Sequence, residues 1–286
     1  QVRIRGAEGN HTLVLLDGID VSSPDQGETD FSTLLSGDIS RVEVLRGPQS
    51  GLYGSNALAG VVNLITNREV DGHYVNVGVE AGSFNTAQLQ GNAGFGNGKD
   101  YASVGFHALS TDGWDISPNG GTMIYPSVGI GGEAGDDEGN SLATVYVRGG
   151  KEITPIFRVD GIARYLNKKS DLDGQAYNYP IGGLTYDDAS YTNAKQLLIG
   201  GSGTLSLLDG KWNTVLAGSY VDEERRSGST NYPYADEFFG PPAPTDAEVG
   251  ALTVDPYGAD AERTKFSLQS TYEFGGAGFL SYITGF

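Results

Sequence analysis

Two aspartates with the spacing of cation ligands stand in a polar stretch, Asp171-Leu172-Asp173-Gly174-Gln175. Alternate carboxylates followed by a turn glycine are the pattern that calcium loops use, because Ca²⁺ prefers carboxylate and carbonyl oxygens. The remaining ligand positions of an EF-hand do not follow. The sequence therefore predicts a Ca²⁺ site of another type at Asp171 and Asp173, and it indicates no further cofactor.

The residues that covalent catalysis uses are not grouped in this sequence. The chain has no cysteine, and its three histidines, at positions 11, 73 and 107, are far apart. Ser50 lies in Gly-Pro-Gln-Ser-Gly, which differs from the Gly-x-Ser-x-Gly turn of serine nucleophiles. The stretch Gly54 to Gly60 lacks the Gly-Lys-Ser/Thr ending of a phosphate loop. We therefore expect a protein that binds or transports and is not an enzyme.

The formal net charge is −18, which argues against nucleic-acid binding. Fifteen acidic residues fall in three long stretches, 113–141, 170–193 and 227–260, none of which contains Lys or Arg. These stretches form a solvated outer surface, or their field disfavours anionic ligands and favours neutral or cationic ones. The sequence leaves both interpretations open.

Aromatic residues accompany the acidic ones in these three stretches. Such side chains supply rigid contact area for a ligand, or they pack the loops against each other. The candidate ligand-binding residues are Trp114, Tyr125, Tyr177, Tyr179, Tyr186, Tyr191, Tyr232 and Tyr234.

From His73 onward, apolar and polar residues alternate, as Val75, Val77 and Val79 do with Asn76, Gly78 and Glu80. This period of two predicts β-strands with one apolar and one polar face. A transmembrane barrel and a soluble β-sandwich both alternate in this way. We predict nine strands, at about 73–82, 85–95, 100–112, 142–149, 156–168, 194–208, 211–226, 261–274 and 278–286.

The lengths of the predicted connections distinguish these two folds. Short connections at 96–99, 150–155, 209–210 and 275–277 alternate with the long ones at 113–141, 169–193 and 227–260. The first connection, at Ser83-Phe84, is short on the side of the long ones. Short turns at one end and long loops at the other are typical of outer-membrane barrels. No apolar stretch approaches the roughly 18 residues of a membrane-spanning helix.

The first 70 residues contain ordered blocks of another kind. Strands are predicted at Thr12 to Leu16, Ile39 to Leu45 and Val61 to Ile65, and Asp30 is a predicted N-cap of a short helix up to Leu35. Glycines and a proline separate these elements. The residues of interest are Arg5, Gly6, Asp17, Gly18, Glu43, Arg46, Gly47, Pro48, Tyr53 and Gly54.

Arg3-Ile4-Arg5-Gly6, Leu13-Val14-Leu15-Leu16-Asp17-Gly18, Val42 to Gly54 and Gly60 to Thr66 together resemble the second half of the plug domain of TonB-dependent outer-membrane receptors. The resemblance covers roughly residues 2–67 and departs from the family at Ala59-Gly60, where two glycines are usual. It implies that Arg5, Arg41, Glu43 and Arg46 face the barrel wall and help to seat the plug.

The resemblance and the pattern together predict a mainly β chain. Residues 1–70 are the C-terminal part of an α+β plug, and residues 71–286 are the N-terminal part of an antiparallel transmembrane β-barrel. Nine strands cannot enclose a plug, since about 22 are needed, so we expect an incomplete barrel. The resemblance implies a bacterial outer-membrane location, lipid and lipopolysaccharide around the barrel, and a TonB complex whose contact segment precedes Gln1.

The function that this resemblance implies is TonB-energised uptake of a scarce, bulky ligand. A ferric siderophore or cobalamin is the expected cargo, and the acidic loops also admit a glycan or a neutral chelate. The alternative is an extracellular β-sandwich adhesin or glycan-binding module, which needs an apolar core between two sheets. The plug-like blocks disfavour a passive porin.

Overall fold

The structure, a computed structural model, describes residues 2–34, 39–66, 71–114, 137–173, 189–228, 257–275 and 278–285. Its strands form two sheets, one of four strands and one of nine. Among the described residues no helix is long and apolar enough to cross a membrane.

The four-stranded sheet comes from the beginning of the chain and is called the plug sheet. Its strands are β1 (Thr12–Leu16), β2 (Ile19–Asp20), β3 (Ile39–Arg46) and β4 (Gly60–Thr66). They lie in the order β2-β1-β4-β3, with β1 parallel to β4 and the other neighbours antiparallel. A short helix, α1 (Ser50–Tyr53), connects β3 to β4.

Strand β1 is central because all five of its residues are apolar or small and all are buried. Leu13 and Leu15 pack with Ala57 and Val61 on one face of the sheet. The other face of β1 contributes to a second apolar cluster, which extends beyond the plug sheet. Strand β3 is an edge strand, and Val42 on it is 52% exposed.

The helix predicted at Asp30 to Leu35 is shorter than expected. Only Phe31–Thr33 form a 3₁₀ turn, although Asp30 caps it as predicted by accepting a 3.0 Å hydrogen bond from Ser32 N. Leu34 is already extended, and its side chain packs against the second apolar cluster. The helix ends at Thr33 because the extended backbone of Leu34 brings its side chain against this cluster.

The nine-stranded sheet, called the wall, is a continuous antiparallel meander in which each strand pairs with the next along the chain. This confirms the predicted fold class and the nine strands. The strands are β5 (Asp71–Ala81), β6 (Ala87–Asn97), β7 (Tyr101–Thr111), β8 (Asn140–Thr154), β9 (Phe157–Asp173), β10 (Ala189–Leu207), β11 (Trp212–Gly228), β12 (Tyr257–Glu273) and β13 (Phe279–Gly285).

One face of the wall is apolar and exposed. Val75, Val77 and Val79 on β5 are 73%, 68% and 75% exposed, whereas a sandwich core would bury them. On β9 the exposed residues Ala163 and Tyr165 alternate with the buried Ile162, Arg164 and Leu166. Contiguous exposed apolar surface of this kind marks contact with a membrane or another protein.

Several strands reach further than the alternation predicted. The short connection expected at 150–155 is present but is narrower, at 155–156, because β8 continues to Thr154. At the opposite end Asp171, Asp173, Tyr191, Tyr257 and Asp260, predicted in loops, lie in β9, β10 and β12. Polar residues replace apolar ones there, so the alternation of apolar and polar residues that identified the strands is lost while the backbone ladder continues.

Candidate functional site

The turns of the plug-like motifs fix the plug sheet from within. Asp17 and Gly18 have φ angles of 52° and 85°, which place them in a tight turn between β1 and β2. The Asp17 carboxylate accepts a 3.0 Å hydrogen bond from Thr66 N and another from the Thr66 hydroxyl. Asp17-Gly18 therefore ties the β1–β2 turn to the end of β4.

The Gly47-Pro48 motif turns the chain from β3 into α1. Gly47 has a φ of 102°, and its N–H donates to Ala59 O at 3.0 Å. Gly54, with a φ of 88°, ends α1 and donates to Ser50 O at 3.0 Å. Tyr53 packs against the Leu13 and Leu15 face of the plug sheet.

Of the two positions that are usually glycine at 59 and 60, only the second requires a glycine. A Cβ at Gly60 would lie 2.4 Å from Leu45 O and 2.8 Å from Ile4 Cδ1, so no side chain fits there. Ala59 precedes it and donates its backbone N–H to His11 O at 2.9 Å. Gly60, the position that requires glycine, is a glycine in this chain, and alanine occupies position 59.

The four charged residues that the plug resemblance places against the barrel wall are exposed in the structure. Arg5, Glu43 and Arg46 are exposed, and Glu43 pairs with Arg41 at 2.7 Å. In the described residues no ion pair joins these four side chains to β5–β13. Their role in seating the plug stays a prediction.

Plug and wall meet through a different segment, residues 19–33, which we call the docking segment. Its apolar residues Ile19 and Val21 form one buried cluster with Ile162, Leu198 and Val221 of the wall. Leu198 and Val221 are fully buried. Close approach is possible because β10 carries Gly200 here, where a Cβ would lie 2.5 Å from Ile19 Cδ1.

Asp20 is the most enclosed charged residue of the docking segment, with 4% of the residue exposed. Its carboxylate lies 3.2 Å from Arg263 Nη2 and accepts a hydrogen bond from Lys265 Nζ. Arg263 also donates to Asp20 O at 3.0 Å and to Ser22 Oγ at 3.1 Å. A buried carboxylate with two cationic partners is compensated, whereas an unpaired one would be costly.

Strand β11 supplies a second polar contact. Ser23 Oγ donates to Glu223 Oε1 at 2.6 Å, and Gln196 Nε2 donates to Glu223 Oε2 at 2.8 Å. Arg225 Nε lies 3.6 Å from Glu223 Oε1 and 3.9 Å from Asp25 Oδ2. The plug thus places a second acidic side chain beside a wall cation.

Strand β9 supplies the third. Lys168 Nζ donates to the Asp30 carboxylate, and the buried Arg164 donates from Nη2 to Thr33 O at 2.6 Å. Burial alone would raise the pKa of Asp30, but its hydrogen bonds from Lys168 and Ser32 and the Lys168 charge lower that pKa below its usual range. Asp30 therefore stays ionised against the wall.

The predicted ligand and metal residues are only partly described. Trp114 follows β7 and Tyr191 lies in β10, whereas Tyr125, Tyr177, Tyr179, Tyr186, Tyr232 and Tyr234 fall outside the described residues. The Asp171 carboxylate lies 3.3 Å from Lys169 Nζ. Within the described ranges no three His, Cys, Asp or Glu side chains group as metal ligands, and the Ca²⁺ site stays a prediction.

Sequence reasoning missed the docking segment and its partners. The wall cations carry a recognisable signal, since Arg164, Lys168, Arg225, Arg263 and Lys265 all occupy positions on the polar face of predicted strands. No such signal marks Asp20, Asp25 and Asp30, because acidic residues in a turn-rich segment are ordinarily solvated.

Comparison with known proteins bears on both parts of the chain. The family model of the TonB-dependent Receptor Plug Domain matches residues 1–61. The siderophore receptor PirA from Acinetobacter baumannii superposes with a TM-score of 0.68 at 18% identity, covering 100% of this chain and 41% of that one. A mutant of the ferric enterobactin receptor PfeA from Pseudomonas aeruginosa gives 0.70 at 18% identity, covering 100% and 42%.

The alcaligin outer-membrane receptor FauA from Bordetella pertussis gives a TM-score of 0.59 at 13% identity, covering 96% of this chain and 37% of that one. This chain thus spans about two fifths of the length of the solved structures that it matches. The match to the family model confirms the plug resemblance, and the fold of the chain is that of a TonB-dependent receptor plug with part of its barrel.

Proposed function

We propose that this protein acts in TonB-energised uptake of a ferric siderophore across the bacterial outer membrane. One observation carries the proposal: a plug-domain sequence docks on the polar face of a sheet whose other face is apolar and exposed. An apolar exterior suits lipid, and a polar interior suits a water-filled lumen that the plug closes. In this proposal outer-membrane lipid, including lipopolysaccharide, surrounds the wall.

The contacts of the docking segment suit a gate. Three of them are ion pairs or charged hydrogen bonds, at Asp20, Asp25 and Asp30. To the apolar cluster beside them the wall contributes the buried residues Ile162, Leu198 and Val221. Separated charges can be hydrated in an aqueous lumen, so a pull on the plug can exchange these contacts for water. A continuous apolar interface would resist that separation more strongly.

The cargo follows from the matched proteins, whose names refer to siderophores, ferric enterobactin and alcaligin. The protein would contribute binding and gating but no covalent chemistry. Cobalamin, expected beside siderophores from the sequence, is the competing cargo. The β-sandwich adhesin is not favoured, because the valines of β5 are exposed and not enclosed between two sheets.

Uptake of radioactive iron tests the proposal. Cells that express the protein would be given iron-55 as ferric enterobactin, as a ferric trihydroxamate or as ferric citrate, and cyanocobalamin labelled with cobalt-57 would be offered in parallel. We expect saturable uptake of at least one ferric chelate, lost in a strain without TonB. TonB-independent accumulation, or uptake of cobalamin alone, would contradict the proposal.

A further inference from the structure

A small cavity lies between the plug sheet and the wall. Its volume is about 30 Å³, which is enough for one water molecule or one small ion. The plug side of its lining includes the apolar residues Leu16, Leu34 and Ile39. The wall side includes Tyr146 and two arginines, Arg148 and Arg164. The cavity therefore combines an apolar plug side with a cationic wall side.

The register of β8 and β9 brings the two arginines to the same place. Arg148 pairs with Ile162 and Tyr146 pairs with Arg164, so the arginines are diagonal neighbours on adjacent strands. Diagonal neighbours on one face of an antiparallel pair are about 7–8 Å apart, within reach of long side chains. Both arginines are buried, with exposures of 3% and 5%. One small ligand in the cavity can therefore contact both guanidinium groups.

Arg164 has more hydrogen-bond donors than the structure provides acceptors for. A guanidinium carries five N–H donors. Among the described contacts Arg164 donates one hydrogen bond, from Nη2 to Thr33 O at 2.6 Å. The carboxylate whose charge acts on Arg164 is that of Asp30, which is bound by Lys168. A buried charge whose donors lack acceptors is costly, so an acceptor in the cavity beside Arg164 would be stabilising.

Arg148 brings a second positive charge to the same lining. Its Nε donates to Ser103 Oγ at 2.7 Å, and its guanidinium carbon lies 5.6 Å from the centroid of the Tyr146 ring. Among the residues that the structure describes, no aspartate or glutamate lines the cavity. Two like charges at one buried site repel each other, and an anion between them replaces that repulsion with two attractions.

We propose that this cavity is a chloride site that joins the plug to the wall. The ligand is a monovalent anion close to the size of a water molecule, because the volume is too small for phosphate, sulfate or a carboxylate. A water molecule fits the volume but supplies no charge to compensate the two arginines. Fluoride is small enough, but it gives up its hydration shell less readily than chloride. The site requires the docked plug and is independent of the cargo.

Chloride should stabilise the docked plug. The cavity has its complete lining only when plug and wall are together, since Leu16 and Ile39 belong to one and Arg148 and Arg164 to the other. A ligand that binds only the docked state shifts the equilibrium toward it by a factor that grows with ligand concentration. At about 0.1 M chloride, a dissociation constant of about 10–50 mM gives a shift of about three- to tenfold.

Anomalous diffraction from crystals of the intact protein grown in sodium bromide tests the site directly. Bromide replaces chloride in such sites and can be identified by its anomalous scattering. We expect an anomalous peak in the cavity, within hydrogen-bonding distance of Arg148 and Arg164. A peak without anomalous signal, which is water, or an empty cavity would overturn the inference.

A thiol beside the cavity measures the effect of chloride on docking in solution. The chain has no cysteine, and Thr33 is 6% exposed and accepts the Arg164 hydrogen bond through its backbone carbonyl. Thr33→Cys therefore places a single thiol on the plug side. At a fixed urea concentration its reaction with maleimide should be about three- to tenfold slower in chloride or bromide than in gluconate of equal ionic strength. Equal rates in these salts would contradict the proposal.

Two arginine variants of this reporter separate a specific site from a general salt effect. Arg148→Gln removes one ligand of the anion and should abolish the difference between chloride and gluconate. Arg158 lies on the same strand as Arg164, pairs with Asp160 at 2.9 Å and does not line the cavity, so Arg158→Gln should keep the difference. The same chloride dependence in the reporter and in both variants would show a general salt effect and overturn the proposal.

Discussion

Arg263 Nη2 on β12 lies 3.2 Å from the Asp20 carboxylate and donates a 3.0 Å hydrogen bond to Asp20 O, although 243 residues separate the two in the chain. The contact joins an early strand of the plug sheet to a late strand of the wall. Because Lys265 binds the same carboxylate, the plug is held against the wall by a charged contact that forms only when both sheets are in place.

Asp20→Asn should weaken this docking. The substitution keeps the shape but leaves two cations without their carboxylate, and removing one partner of a buried ion pair costs about 3–5 kcal/mol. The chain has no cysteine, so a reporter Thr29→Cys, buried at 6% exposure within the docking segment, measures the opening of that segment by its reaction with maleimide in increasing urea. The matched variant Asp25→Asn, whose pair is longer at 3.9 Å and more exposed, should change the midpoint less. Equal midpoints for Asp20→Asn and the parent would contradict the account.

Leu198→Ala should loosen the plug without opening the wall. Leu198 is fully buried between the two sheets, and truncation of such a side chain costs about 2–4 kcal/mol. The neighbouring Ile199 points outward and is 49% exposed, so Ile199→Ala should leave the urea midpoint of the reporter nearly unchanged. Similar effects of both substitutions would show that plug and wall do not share a core at Leu198.

Gly60→Ala should destabilise the plug sheet. The added methyl would lie 2.4 Å from Leu45 O, a backbone atom that cannot move without breaking the β3–β4 pairing. We expect a loss of about 1–3 kcal/mol, measured by limited proteolysis of the plug across a temperature series. Ala59→Gly, which restores the two glycines of the family, serves as the control and should cost less than about 1 kcal/mol. Tolerance of Gly60→Ala would show that the close approach is absent.

The docking of the plug should depend on pH through Asp30. Its pKa is lowered in the folded protein, so its contribution is complete above the ordinary value of 3.8 and is lost as the pH falls through the lower folded value. Docking should therefore weaken with acid below about pH 4. Asp30→Asn should remove that part of the dependence. The Thr29→Cys reporter read with a pyridyl disulfide between pH 5 and 2.5 checks this, and parallel curves for the two proteins would refute the role of Asp30.

The strands of the wall can be predicted from the sequence because the two faces of the sheet lie in environments that differ in polarity. The nine alternating runs predict the nine strands of the described chain, and the ordered glycine motifs predict the plug strands β1, β3 and β4. The two-residue strand β2 and the four-residue helix α1 escape prediction because such short elements show no periodicity.

The outer ends of the wall strands could not be predicted from the same pattern. Tyr191, Asp171 and Asp260 lie in paired strands, yet their types suggest a loop. The docking segment could not be predicted from the sequence either. Asp20 is defined by its cationic partners on β12, and only tertiary structure brings a carboxylate and those cations together.

The most direct test of the account is the environment of the exposed valines of β5. Spin labels placed singly at Val75, Val77 and Val79 of the protein in bilayers should be accessible to oxygen, which concentrates in lipid, and shielded from a water-soluble nickel chelate. Labels at Asn76 and Gly78, on the opposite face, should show the reverse preference or protection from both. If the three valine positions are closed to both reagents, they are buried between packed layers, and the wall is not a membrane wall.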